Sequence, residues 1–228
     1  MIQLSNVSKI YPPNAAALKD INLQIEKGEL VFLTGPSGAG KTTLLKLLFR
    51  EEEPSEGHIL IDGKNLFRLN SRGVARLRQQ MGLVSQEFKF LPHMTALDNA
   101  ALAALVRGVP RRESYNKAYH LFRELGLQKK CDAQPRALSG GEQQRVAIAR
   151  ALMNDPMVML ADEPMGNLDA DLADETMRLF LKIRERGTTV MIASHDLDFS
   201  QRYRARVISL QEGRLVDDLK PAKGVHGG

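Results

Sequence analysis

The sequence predicts an α/β fold built on a mostly parallel sheet, with an antiparallel β part at the N-terminus and a helical segment set into the middle of the chain. Three observations carry this. VMLA at 158–161, VMIA at 190–193 and VISL at 207–210 are nearly continuous apolar runs, the pattern of strands covered on both faces. LVFL at 30–33 is a fourth run of this kind, and it leads into the glycine-rich stretch GPSGAGKT at 35–42, after which Leu44, Leu45, Leu47 and Leu48 recur at helical spacing. From about Glu87 to Asp155 the apolar period is helical throughout.

The elements follow in order. Ile21, Leu23 and Ile25 alternate with polar residues before a Lys27-Gly28 turn, and Ile59-Leu60-Ile61 before Asp62-Gly63 repeats the pattern. Such early strands form an antiparallel sheet beside the core. Thr95 with Asp98 makes a capping box for a helix that ends near Gly108 and Pro110. A second helix runs from about Arg112 to Leu125 and stops at Gly126. A third begins at Ser139, with Glu142 reaching back to it, and halts before Pro156. The chain therefore reads as a single domain over 1–228: a core from 1–86 and 156–219, a helical part from 87–155, and a polar, glycine-rich tail from 220–228 that frays.

Composition sets the outer limits. The 228 residues are 43% hydrophobic and 26% charged, and no apolar stretch approaches the roughly 18 residues a spanning helix needs. MIQLSNVSKIY lacks the basic-then-apolar form of an export signal, so the protein is expected to stay where it is made. A single cysteine, Cys131, excludes an internal disulfide framework and has no neighbouring histidine to activate it. The net charge of +5 fits nucleic acid, an anionic membrane surface or plain solubility. Basic residues are spread along the chain, with small groups at Arg111-Arg112, Lys129-Lys130 and Arg202-Tyr203-Arg204-Ala205-Arg206 that read as solvated helix faces.

GPSGAGKT has the spacing G-x-x-x-x-G-K-[ST], which a phosphate cradle requires: glycines for close backbone approach, a cation at the end and a hydroxyl for a metal. By the chain's own composition the pattern arises by chance on the order of once in 100 proteins of this length. Its setting decides for phosphate, because strand, glycine loop and helix together converge free N–H groups and a positive dipole end on an anion. Asp162 and Glu163 end the apolar run at 158–161. A carboxylate there, next to a phosphate loop, is placed to hold Mg²⁺, and Glu163 to orient or take a proton from an attacking water. Taken alone, the pair reads equally well as polar residues ending a strand.

The remaining motifs carry a family resemblance. LSGGEQQ at 138–144 matches the signature motif of ATP-binding cassettes, VMLADEP at 158–164 their Walker B motif, GNLD at 166–169 their D-loop, Gln86 their Q-loop glutamine, and His195 in ASHD their switch histidine. Tyr11 lies where that family places an adenine-stacking aromatic. The motifs keep the family order over nearly the whole chain, which resembles most the cell-division branch of the family. This implies a phosphate-loop, RecA-like NTPase core that binds ATP and Mg²⁺ and hydrolyses ATP. Gly35, Pro36, Ser37, Gly38, Ala39, Gly40 and Lys41 would hold the β and γ phosphates, Thr43 the α-phosphate, and Thr42, Gln86 and Asp162 the metal. Glu163, His195 and Gln86 would act in hydrolysis. Ser139, Gly140, Gly141 and Asp169 would meet nucleotide across a homodimer in which two ATP molecules are sandwiched head to tail.

The resemblance also implies a peripheral protein at the cytoplasmic face of the bacterial inner membrane. An integral membrane partner would insert a short helix near Phe88, Phe90, Leu91 and Met94. A transporter subunit for lipoprotein release or efflux shares every motif and is the nearby alternative. A DNA-associated cassette would carry long coiled-coil inserts, and no sustained heptads occur here, so nucleic acid is not expected. One departure is Met165, where relatives commonly have threonine; a thioether cannot reproduce a hydroxyl's hydrogen bonds.

Overall fold

The computed structural model describes residues 1–220 apart from Asn167, Leu197 and Arg204. The expected tail beyond Lys220 and the second residue of GNLD thus lie outside the described residues. Strand β1 (Ile2–Tyr11) pairs antiparallel with β2 (Ala15–Ile25) on one side and with β4 (Glu56–Ile61) on the other, and the short β5 (Lys64–Asn65) extends this sheet to four strands. This is the expected N-terminal antiparallel part. Ile2, Leu4, Val7, Ile21, Leu23, Ile25, Ile59 and Ile61 bury one face of it.

The second sheet has six strands in the order β10-β9-β3-β8-β7-β6, formed by β3 (Leu30–Thr34), β6 (Met81–Val84), β7 (Val158–Asp162), β8 (Thr189–Ala193), β9 (Arg206–Gln211) and β10 (Arg214–Leu219). All pairings are parallel except that of β10 with β9. Side chains alternate across it as the pleat demands. Phe32, Met159, Ala161, Val190 and Ile192 enter one core, which includes the helical part. Val31, Leu33, Val158, Leu160, Met191 and Ala193 enter the other, which joins the antiparallel sheet to helix α1 (Lys41–Leu48). Strand β9 departs from the double cover expected of it. Val207 and Ser209 are half-buried while Ile208 and Leu210 are covered, so only one face of β9 is core.

The described helices after α1 are α2 (Ser71–Gln79), α3 (Ala96–Leu105), α4 (Arg111–Glu124), α5 (Gly140–Leu152), α6 (Ala170–Glu185) and α7 (Asp198–Arg202). Both expected capping boxes form: Thr95 with Asp98 opens α3, and Ser139, one residue before the helix, caps α5 with Glu142. A chain reversal at Gly126, φ 70°, follows α4. No described helix is long and apolar enough to cross a membrane.

Arg206, expected with its neighbours on a solvated helix face, instead opens strand β9 as a buried cation that fastens β10 to β2. At 4% exposure, its guanidinium donates to both carboxylate oxygens of Asp218 on β10 at 2.6 and 2.7 Å, to Glu29 at 3.0 Å and to the Gln24 carbonyl on β2 at 2.9 Å. Every side of the buried cation that meets protein is thereby answered by an acceptor, which is the condition under which such a charge is tolerated.

Candidate active site

The order of the central sheet assembles the site. β3, β8, β7 and β6 are consecutive parallel neighbours, so their C-terminal ends lie along one edge. From that edge come, in turn, the loop at 35–40, His195, Asp162 with Glu163, and Gln86. Ligands of open α/β sheets collect at such an edge. A cleft of about 660 Å³ opens there, lined by residues 37–43 together with Ala17, Gln86, Glu163, Gly166 and His195.

The loop at 35–40 needs glycine where the chain turns hardest. A Cβ on Gly35, φ 138°, would meet the Leu210 carbonyl oxygen at 2.1 Å, and one on Gly40, φ 106°, the Ala17 carbonyl oxygen at 2.6 Å. Gly40 caps α1 with no side-chain acceptor, so the first-turn amides of α1 remain available to an anion. Lys41 is 8% exposed, and its ammonium donates to the Gly35 carbonyl at 2.7 Å and the Pro36 carbonyl at 3.2 Å, across the loop it follows. The Glu163 Oε1 atom lies 3.8 Å from the same ammonium.

Asp162 is 9% exposed at the end of β7 and accepts the Thr42 hydroxyl. Its Oδ1 is buried with no hydrogen-bond partner. Burial pushes this carboxyl above its ordinary pKa, the Thr42 bond pulls it back, and the neighbouring charge of Glu163 adds to the rise. A buried carboxylate oxygen without a donor, next to a hydroxyl and a phosphate loop, has the chemistry of a hard-cation ligand. Glu163 adopts φ 47°, left-handed backbone that is costly for a non-glycine residue, and its N–H donates to Ala193 O at 2.9 Å on β8. This turn aims the side chain into the cleft, where Oε2 lies 3.0 Å from His195 Nδ1.

The other expected residues are placed differently. Tyr11 ends β1 with the Lys9 ammonium 4.8 Å from its ring centre, and Lys9 is held by Glu52 at 2.9 Å; Tyr11 is not among the residues lining the cleft. Asp169 caps α6 by accepting from Leu172 N at 2.9 Å. Ser139 and Gly140 are exposed at the tip of α5 and also lie outside the cleft, while Gly141 packs beneath them on Leu172. The Ser139 hydroxyl accepts from Glu142 N at 3.3 Å and also hydrogen-bonds the Glu142 carboxylate, so both halves of the cap are made within the chain. The Ser139 backbone N–H, with Lys130 alongside, holds the Glu142 carboxyl below its ordinary pKa.

Two residues that sequence reasoning missed shape the neighbourhood of Gln86. Asn99, 1% exposed, receives Leu91 N at 2.8 Å and donates to the carbonyls of Leu91, Met94 and Thr95 at 3.1, 3.2 and 2.9 Å. Arg150 on α5 donates to the carbonyls of Phe88 at 2.6 Å and Lys89 at 3.3 Å and covers the Phe90 ring. A lone asparagine in the alanine- and leucine-rich α3 was a visible signal; Arg150 gave none. The departure at Met165 is absorbed as packing, since that side chain is buried in the core shared with the helical part.

Comparison with known proteins decides what these parts belong to. The family model described as ABC transporter matches residues 18–166, which includes the phosphate loop, Gln86, the 138–144 motif and the Asp162-Glu163 pair. The chain belongs to the ABC transporter family. As a cassette of that family it is an ATPase. It is 45% identical to the cell division ATP-binding protein FtsE of Mycobacterium tuberculosis over 100% of this chain and 98% of the relative. The FtsE protein of Escherichia coli K12 is 41% identical over 94% of the cassette and 97% of the relative. Among solved structures, the dimeric bacterial ABC transporter cassette MJ0796 superposes with a TM-score of 0.91 at 36% identity, covering 98% of this cassette and 100% of that chain. The same cassette in a dimeric post-hydrolysis state bound to ADP and Pi gives 0.91 at 35% identity over the same shares.

Proposed function

We propose that this cassette is the ATPase subunit of a bacterial cell-division complex. It sits at the cytoplasmic face of the inner membrane on an integral membrane partner of the FtsX kind and uses ATP to signal cell-wall hydrolysis. The observation that carries this reading is the full-length likeness, 39–45% identity, to FtsE proteins of several bacteria, with the whole catalytic edge present in the fold.

Each residue has work suited to its position. The amides of residues 38–43 and the Lys41 ammonium bind the β and γ phosphates by charge-assisted hydrogen bonds, and Thr43 reaches the α-phosphate. Tyr11, whose ring already lies under the Lys9 ammonium, would give up that contact or use its other face to stack on adenine. Thr42 and Asp162 would hold Mg²⁺, with Gln86 at its rim; bound there, the ion neutralises charge on the phosphates. Glu163 orients a water against the γ-phosphorus and receives its proton, while His195 fixes the Glu163 carboxylate. Water's oxygen forms the new bond to phosphorus as the bond to the ADP oxygen breaks.

The tip of α5 serves a second copy. Ser139 and Gly140 stand exposed and outside their own cleft, and the related solved cassettes are dimers. The open amides and the positive end of the helix suit the γ-phosphate of a partner's ATP, toward which the Ser139 O–H would turn from Glu142. Hydrolysis removes that shared contact and loosens the pair, with Asp169 and the turn before it near the join. A groove of about 260 Å³ between α1 and residues 83–89 is lined in part by Thr42, Gln86 and Asp162, which would hold the metal, and the stacked Phe88 and Phe90 rings, 5.5 Å apart, lie at the end of that segment and just beyond it without lining the groove. It suits a short helix of the membrane partner.

Affinity capture of the cassette from detergent-solubilised membranes tests this. Co-purification of one integral membrane protein encoded beside it, and loss of division when either is depleted, is the expected result. Capture of a solute or lipoprotein transporter's membrane subunit would replace the cell-division role while leaving the ATPase in place.

A further inference from the structure

The net charge of the cassette is not spread along the chain. Between Asp62 and Glu87 there are five cations, Lys64, Arg68, Arg72, Arg76 and Arg78, and no carboxylate. The other 27 Lys and Arg residues match the chain's 27 Asp and Glu, so the whole formal charge of +5 resides in these 24 residues. Lys64, Arg68, Arg72 and Arg76 recur at intervals of four from β5 into α2, all are exposed, and among the described residues none of the four is in an ion pair. Arg72 and Arg76, four apart on α2, repel each other, a modest penalty that an external anion would relieve.

Arg78 behaves differently and fixes where this stripe lies. It donates to the Phe49 carbonyl at 3.2 Å and the Arg50 carbonyl at 3.0 Å, tying α2 to the C-terminal end of α1. Lys46 and Phe49 at that end line the groove beside Gln86, together with residues 85–87 and Lys89. Helix α2, which carries Arg72 and Arg76 and follows Lys64 and Arg68 in the chain, is therefore joined to one wall of the groove assigned above to a membrane protein's helix. None of the four free cations lines the groove or the nucleotide cleft, so they face no shaped cavity there. The aromatic ring in the segment, Phe67, is covered by the Arg50 guanidinium at 4.6 Å and does not offer the bare stacking face that single-stranded nucleic acid uses.

We propose that Lys64, Arg68, Arg72 and Arg76 form an electrostatic seat for anionic phospholipid headgroups, holding the α2 flank of the cassette against the bilayer beside its membrane partner. A stripe of long, strongly basic side chains on an exposed surface matches a diffuse planar array of phosphodiester charges, and clusters of this size give measurable adsorption. This deepens the membrane reading and rests on it for the orientation of the groove.

The test is co-sedimentation of the purified full-length protein with vesicles of phosphatidylethanolamine and phosphatidylglycerol, against vesicles of phosphatidylcholine alone. Wild-type protein is expected to sediment with the anionic vesicles only, and less as salt is raised. Each substitution to glutamine should weaken binding about fivefold, and the Lys64, Arg68, Arg72 and Arg76 quadruple variant more than a hundredfold. Unchanged ATP affinity shows that the variant is folded; the pair R72Q and R76Q serves if the quadruple variant is not. Equal binding to both vesicle types, or full binding by the variants to anionic vesicles, overturns the proposal. So does tighter retention on a DNA duplex than on anionic vesicles at the same salt. Vesicle binding without capture of a membrane protein would sink the proposed function alone, and capture without vesicle binding would sink this inference alone.

Discussion

His195 Nδ1 lies 3.0 Å from Glu163 Oε2 at the junction of two neighbouring parallel strands, β8 and β7. A carboxylate has only acceptors, so the imidazole donates and holds the carboxylate in one orientation. Replacing Glu163 with glutamine keeps the side chain's size but removes its ability to take a proton. Turnover should fall about a hundredfold or more, with ATP affinity retained and an ATP-held dimer accumulating. Phosphate release and size-exclusion chromatography with ATP check this, and normal hydrolysis would remove Glu163 from its role.

Lys41 supplies the buried cation of the phosphate loop. Its replacement by alanine removes a charge-assisted contact of about 1.5–3 kcal/mol, so ATP affinity should drop roughly ten- to hundredfold. Titration with a fluorescent ATP analogue reads this directly. Unaltered affinity would mean that the loop does not hold the triphosphate through Lys41.

Asp162 has its pKa raised by burial, and the sign of the consequence follows. Because the unfolded chain ionises this carboxyl more easily than the folded one, the penalty is absent below the ordinary carboxylate pKa and grows as pH climbs through the raised value. D162N should therefore melt higher than wild type near neutral pH, with the difference closing below about pH 4. The same variant should lose the extra stabilisation that Mg²⁺ adds to ATP. Thermal melts across pH, with and without nucleotide and magnesium, measure both; a lower melting temperature for the variant at pH 7 would contradict the account.

Asn99 ties residues 91–95 to α3 through its four hydrogen bonds. N99A strands one backbone donor and relieves three acceptors of their partner, which should cost about 1–3 kcal/mol in denaturant unfolding. Capture of the membrane partner should weaken further than this loss of stability explains, because the groove segment loses its brace. Unfolding within error of wild type would show that water replaces the asparagine freely.

Much of this was legible in the sequence, for identifiable reasons. Strands 158–161 and 190–193 announced themselves because two cores cover their two faces, so no polar residue interrupts them. The phosphate loop was legible because backbone collisions at Gly35 and Gly40 leave no alternative residue. β1 was not picked out: its register shifts at three places, between Leu4 and Val7, Val7 and Lys9, and Lys9 and Ile10, and each shift breaks the alternation that marks a strand. α2 escaped notice because Leu77 is its one buried side chain. Asn99 and Arg150 act through tertiary contacts, the latter across 61 and 62 positions, and spacing carries no trace of such pairs. The bond from His195 to Glu163 joins different strands, and family likeness pointed to each residue without pointing to the bond between them.

The clasp around Arg206 makes the residues up to Asp218 necessary to the foldable unit. Trimming the chain before Asp218 would take away the bidentate acceptor of a guanidinium at 4% exposure and leave it Glu29 and the Gln24 carbonyl, a loss on the order of 1.5–3 kcal/mol for a charged hydrogen-bonded pair. Fusion tags and reporters therefore belong after Lys220. A frameshift only a few codons upstream of Asp218 would unlatch the first sheet from β10.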